Sequence, residues 1–319
     1  MSPKKNQPDS LFLIERLMRE TKRSMEKENF SSEDDFREKM RDMIAAGLFE
    51  QRLEYLKDDP EEMAQELAFE AYESANGDQA LELAEKALAV DPQCVDAMTI
   101  RAFLTSEDAG ELIDALEHAA TCAENRLGEE FFSEFMGDFW PMVEARPYMR
   151  TIKQLAEVLW SVGRRFDAVE NYINLLDLDP EDHMGNSALL LSCYLGMGEI
   201  QRAWDLLEEC DDDSAVYQYA WLLIHLMGAD EDAAEDALAH AMDVNPHVVP
   251  YLIGMGEESE DNPATVTVGS PEEARVVDQI LGEAWDSNPR AVLWVHDQMV
   301  RMGVVELGDD DQDSESSIH

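Results

Sequence analysis

Three polar residues, Glu144, Arg146 and His247, are of the types that move protons and steady charge in enzyme sites. They would form a reactive site only where the fold brings them into one open pocket. A second set is spaced for recognition instead. Arg150, Lys153, Glu157 and Trp160 follow one another at helical steps, so they fall along one stripe of a helix. Two cations suit the carboxylate of an extended peptide, and an indole suits one of its apolar side chains. Ser192 and Tyr219 continue that surface on later helices, which makes a candidate protein-binding groove. The competing reading packs Trp160 between neighbouring helices and pairs the two bases with nearby acids.

Recognised chemical motifs are missing elsewhere. The seven histidines show no H-E-x-x-H, and no cysteine stands at metal-ligand spacing from them. No G-x-S-x-G nucleophile turn occurs. Gly196-Met-Gly198 and Gly254-Met-Gly256 do not complete a phosphate-binding fingerprint, and Glu257 and Glu258 would repel phosphate. Asp309-x-Asp311-x-Asp313 opens like a calcium loop, but Ser314 replaces the required glycine and the closing glutamate would fall beyond His319. The expectation is a protein without catalysis, cofactor or metal.

Charge narrows the partners. With 71 acidic against 24 basic residues, the formal net charge is -47. Phosphates are repelled by such a field, which excludes nucleic acid and anionic membrane surfaces as natural partners. The charge fits a protein or peptide partner of basic character. The spread of acids along the whole chain favours the other reading, a solvated, self-repelling coat tuned to strong salt screening. Four cysteines without C-x-x-C spacing read as reduced, buried thiols. The apolar run Leu11 to Ile14 is too short for a signal-peptide core, and no stretch approaches the roughly 20 apolar residues of a membrane span. A cytoplasmic location is expected.

The elements that must position these residues are helices. Ile152, Leu155, Ala156 and Leu159 share one helical face, Gly163 turns the chain, and Ala168 and Tyr172 mark a second helix ending at Asp179-Pro180. This reproduces the tetratricopeptide pattern of a helix pair closed by proline. The small second-helix residue recurs at Ala80, Ala115, Ala168, Ala203, Ala234 and, as valine, Val277. Pro92, Pro180, Pro246 and Pro289 each stand twelve residues after one of these positions. The fold class is therefore all-α, a tetratricopeptide-like helix-pair solenoid winding as a right-handed superhelix. It has three parts: a tail and N-terminal helical extension over 1–58, the solenoid over 59–302, and an acidic disordered tail over 303–319.

Two irregular spacings interrupt the solenoid. An extra aromatic helix is expected over about 128–143, carrying Phe131, Phe132, Phe135, Phe139 and Trp140, and an aromatic stripe of this kind suits a core. A long acidic loop occupies about 254–270, with strand-like letters only at Thr265 to Val268 and a capped helix restarting at Ser270-Pro271. Within the extension, Ser10 caps a helix to about Asn29 bearing Arg16, Arg19, Lys22, Arg23 and Lys27. This basic helix either docks on a partner or membrane surface or packs on the acidic body of its own molecule. Ser32-x-x-Asp35 opens a further helix ended by Gly47.

Gly137-x-Phe139-Trp140, Glu144-x-Arg146-Pro147-Tyr148-Met149-Arg150, Leu159-Trp160-x-x-Gly163-Arg164 and Asn245-Pro246-His247-Val248-x-Pro250-Tyr251-Leu252 stand apart from generic repeat letters. Over about two thirds of the chain, it resembles bacterial tetratricopeptide-repeat proteins related to the suppressor-of-tumorigenicity-7 family. That resemblance implies a helical repeat protein with interaction roles and no defined reaction. Trp140, Glu144, Arg146 and Tyr148 then form a candidate joint between the aromatic helix and the repeat that follows. The expected function is a non-enzymatic scaffold binding a protein segment in its concave groove. The alternative is an accessory subunit or enzyme with a polar site at Glu144, Arg146 and His247.

Overall fold

The computed structural model describes residues 12–27, 56–210, 212–256 and 266–304. Every regular element among them is an α-helix, in keeping with the expected all-α class. The expected helix at Ser32 to Gly47, the acidic stretch 257–265 and the tail from 305 lie outside the described residues. Among the described residues no helix is long and apolar enough to cross a membrane.

The helices form two compact units, the first ending at His183 and the second starting at Met184. The first contains α1 (Leu13–Lys27), α2 (Pro60–Tyr72), α3 (Gly77–Val90), α4 (Val95–Thr105), α5 (Ala109–Leu127), α6 (Glu129–Phe135), α7 (Arg146–Ser161) and α8 (Arg165–Leu178). Short connections force consecutive helices into hairpins, and α2 with α3 and α7 with α8 are the most closely packed pairs. The start of α2 combines Pro60 with Glu61 and Glu62, which suit the free N–H groups and positive dipole end there. Asn76 caps α3 by accepting from the backbone N–H groups of Asp78 and Gln79. Gly163, at φ 81°, reverses the chain between α7 and α8. Ala64, Ala68 and Ala71 of α2 meet Ala80, Ala84 and Ala87 of α3 in one buried cluster. Methyl groups at that seam let two backbones approach closely.

The aromatic segment departs from the expected single helix over 128–143. Helix α6 stops at Phe135, and Gly137, at φ 88°, turns the chain into a compact bend. The Phe139 N–H donates to the carbonyl of Leu178 at the end of α8, a bond that a continued helix would have used internally. Phe139 is fully buried, with its ring 5.4 Å from Phe131 and 5.0 Å from Phe132, and Phe132 meets Tyr148 edge-on at 5.5 Å. These rings form a core that ties the bend to α7.

The second unit contains α9 (Asn186–Met197), α10 (Ile200–Glu209), α11 (Ala215–Met227), α12 (Glu231–Val244), α13 (Val248–Leu252), α14 (Pro271–Asp286) and α15 (Pro289–Arg301). Its core holds Leu191, Leu195, Tyr219, Leu223, Leu281 and Trp285. Helix α14 begins where the sequence places it, with Ser270 accepting from the Glu273 N–H. The Asn245 amide donates to the Ser270 carbonyl and to Glu273, which fastens the end of α12 to the start of α14. Val266 to Val268 form no strand. The recurrent small residues Ala80, Ala168, Ala203, Ala234 and Val277 are all buried, and Ala115 is half-buried.

Truncating Phe139 to alanine removes the centre of the aromatic core, and the expected loss is about 3–5 kcal/mol by urea unfolding. The same truncation at Phe166, which is 70% exposed, is expected within about 0.5 kcal/mol of wild type. Equal effects at the two positions would contradict this packing.

Candidate functional site

The most elaborate polar construction in the first unit is where α1 meets α2 and α7. On α1, Phe12, Arg16, Arg19 and Arg23 recur at steps of four, three and four, so they form one stripe. On α2, Glu62, Glu66, Phe69 and Glu73 recur at the same steps. The two stripes meet antiparallel. Phe12 stacks on Phe69 at 4.5 Å between ring centroids and leans on Tyr72 at 5.4 Å. Arg16 donates to Glu66 and to Glu73, each at 2.7 Å. Arg19 donates to Glu62 at 3.0 Å and to the Val143 carbonyl at 2.9 Å. At the end of the stripe Arg23 reaches Asp59 at 3.3 Å, and beside it Lys22 donates to Glu144 at 2.5 Å.

Arg150 of α7 closes the site from the other side. Its guanidinium grips Glu15 of α1 at 2.7 and 3.2 Å, and Asp96 of α4 at 2.6 and 3.0 Å. Asp96 is fully buried and also accepts from Gln65 at 2.6 Å and Tyr72 at 3.3 Å. Burial alone would push the Asp96 carboxyl up, but the Arg150 charge and hydrogen bonds outweigh it and hold the carboxyl below its ordinary value. Burial likewise opposes the charge on Arg150, and Asp96 with Glu15 more than compensates. The Thr99 and Thr151 hydroxyls pair at 2.9 Å, which fixes α4 against α7.

The residues expected along a groove therefore have varied surroundings. Arg150 is held within the unit by two carboxylates. Lys153 is half-buried, and burial lowers its ammonium from the ordinary value. Glu157 is exposed one turn further on. Trp160 packs against the apolar cluster of Ala102, Ile113 and Leu116, with the Arg165 guanidinium 5.1 Å from its ring centroid. In the second unit Ser192 donates to the Ile280 carbonyl, and Tyr219 is fully buried and donates to the Asn245 carbonyl.

The joint residues are interlocked within the first unit. The Arg146 guanidinium lies 4.2 Å from the Trp140 ring centroid and donates to the Trp140 carbonyl at 2.9 Å. Trp140 also stacks on His183 at 5.3 Å, and the Tyr148 hydroxyl donates to Glu124 at 3.0 Å. Of the polar trio, Glu144 is engaged by Lys22 and Arg146 by Trp140, while His247 belongs to the second unit, where its N–H donates to Asn245.

A cleft of about 310 Å³ runs beside α1 and is lined by Arg19, Glu61, Asp91, Cys94, Arg126 and Glu144 among others. Its charges are already matched: Arg126 pairs with Asp91 and Glu61, Arg19 with Glu62, and Glu144 with Lys22. Burial, helped by the Asp96 charge, pushes the Cys94 thiol up to about 12, far from a reactive thiolate. Among the described residues no cluster of His, Cys, Asp or Glu is arranged to hold a metal ion.

The acidic stripe on α2 and the buried pair Asp96–Gln65 escape a reading of the sequence by single motifs. Their signal is the shared four-three-four spacing of opposite charges on two helices separated by more than thirty residues. In comparisons with known proteins, no family model and no curated sequence matches the chain.

Replacing Arg150 by alanine takes from the fully buried Asp96 its ion-pair partner and leaves Glu15 the longer contact to Arg19, and the expected destabilisation is about 3–5 kcal/mol in urea unfolding. Because the folded Asp96 carboxyl is depressed, its contribution is present above the unfolded value of roughly 3.9 and is lost as pH falls through the folded value. Unfolding midpoints from pH 6 to 2.5 are expected to fall more steeply for wild type than for Asp96→Asn. Parallel curves would refute the assignment.

Proposed function

We propose that this protein is a non-enzymatic interaction scaffold in which helix pairs stack in the tetratricopeptide manner as a right-handed superhelix. Its recognition surface is the face of the first unit made by α2 and α7, with the α4 carboxylate of Asp96 behind it. The observation that carries this reading is the seating of α1, whose aromatic, acidic and basic side chains each meet a complementary group on that face. A surface that orders a helix through stacking, bidentate ion pairs and backbone contacts has the parts of a helix-binding site. The acid-rich stripe of α2 suits a basic protein segment and repels nucleic acid. The matched charges of the neighbouring cleft and the raised Cys94 thiol favour recognition over catalysis.

Affinity capture followed by mass spectrometry tests the reading, with wild type compared against Glu66→Arg together with Glu73→Arg. Partners held through this face are expected to fall at least tenfold on the reversed chain while its helical circular dichroism is kept. An unchanged set of partners would overturn the scaffold reading for this surface.

A further inference from the structure

We infer that α1 is a built-in occupant of this surface, and that the partner it holds off is an amphipathic helix carrying the same code. The code is F-x-x-E-R-x-x-R-x-x-K-R, read from Phe12 to Arg23. This deepens the scaffold reading, on which it rests. Each letter answers a different feature. The aromatic residue stacks on Phe69, the glutamate is gripped by Arg150, and the next arginine spans Glu66 and Glu73. The second arginine takes Glu62 and the Val143 carbonyl, and the final pair takes Glu144 and Asp59. Requiring one acid among four bases makes the site selective for a pattern and not for positive charge alone.

Charge explains why this face exchanges one helix for another and does not simply open. Without α1, the carboxylates of Glu62, Glu66 and Glu73 would crowd the α2 stripe, and Arg150 would lose one of its two partners. Like charges on one helix face repel, and a replacement helix with the same letters restores every pair. The chain as a whole carries -47, yet Leu13–Lys27 holds five bases against three acids. That basic stretch is a segment seated against the acidic stripe. Tethered to the same chain, α1 competes at an effective concentration of order mM, so a free helix must bind well to displace it.

The test uses a fluorescein-labelled synthetic peptide running from Ser10 to Lys27 and full-length chains. Anisotropy titration is expected to show at least tenfold tighter peptide binding by the Arg16→Glu, Arg19→Glu chain, whose own helix is weakened, than by wild type. The Glu66→Arg, Glu73→Arg chain is expected to lose that peptide and to prefer the peptide carrying Arg16→Glu. A second measurement needs no variant. Excess isotope-labelled peptide added to the wild-type chain is expected to speed hydrogen exchange across the chain's own residues 12–27. Absence of binding to the weakened chain at full helical signal, or no change in exchange, would overturn the inference. So would a stable dimer of the weakened or wild-type chain by light scattering, because the occupant would then be a second copy. If captured partners depend on Glu66 and Glu73 while the peptide never exchanges, this inference fails and the scaffold reading stands.

Discussion

The first unit depends on one guanidinium. Arg150 joins a fully buried carboxylate on α4 to a carboxylate on α1, and through Gln65 and Tyr72 the same Asp96 is tied to α2. Four helices thus share one charge-assisted network centred on a carboxylate that is fully buried. Such a network contributes little net stability compared with apolar packing, but it is intolerant of alternatives. A shift of α1 by one residue would turn Glu15 away from Arg150 and Arg16 away from α2 together. Register, and not only adhesion, is what the ion pairs supply.

Around that centre the packing is economical. Alanines at the α2–α3 seam bring backbones close, while long side chains hold α1 against its neighbours. The two modes divide the labour between a dense helix-pair body and a polar attachment. The Phe12–Phe69 stack is the apolar part of that attachment, and guanidinium groups of Arg16 and Arg150 lie 5.2 and 5.4 Å from its two rings. Cations over aromatic faces strengthen when partly desolvated, so the stack and the ion pairs reinforce one another.

Much of the helical plan was legible in the letters. Gly163, the serine cap before α14 and the recurrent buried small residues all act through local backbone or close-packing rules that any reader can apply. The break of the aromatic helix at Phe135 was not legible, because Phe131, Phe135 and Phe139 satisfy helical spacing whether or not the chain bends at Gly137. What decides it is a tertiary bond from the Phe139 N–H to Leu178. The candidate site was legible only in part. Arg150 stood out as a cation on a helix stripe, yet its partners Glu15 and Asp96 lie 135 and 54 residues away, beyond the reach of local periodicity. The basic character of α1 was plain, and so was the possibility of docking on its own acidic body. The matching stripe on α2 required two distant segments to be compared at once.

The spread of these partners along the chain also orders events in time. Arg16 meets Glu66 across 50 residues, whereas Glu15 meets Arg150 across 135. On a ribosome the α2 stripe emerges long before α7, so α1 can find its acidic counterpart early and its register lock only later. Between those moments α1 has the Phe12–Phe69 stack and the Arg16 and Arg19 pairs to α2, while Glu15 and Asp96 still lack the Arg150 guanidinium they share. The later arrival converts a loose encounter into a fixed one, which makes Arg150 the residue that sets the final register of α1.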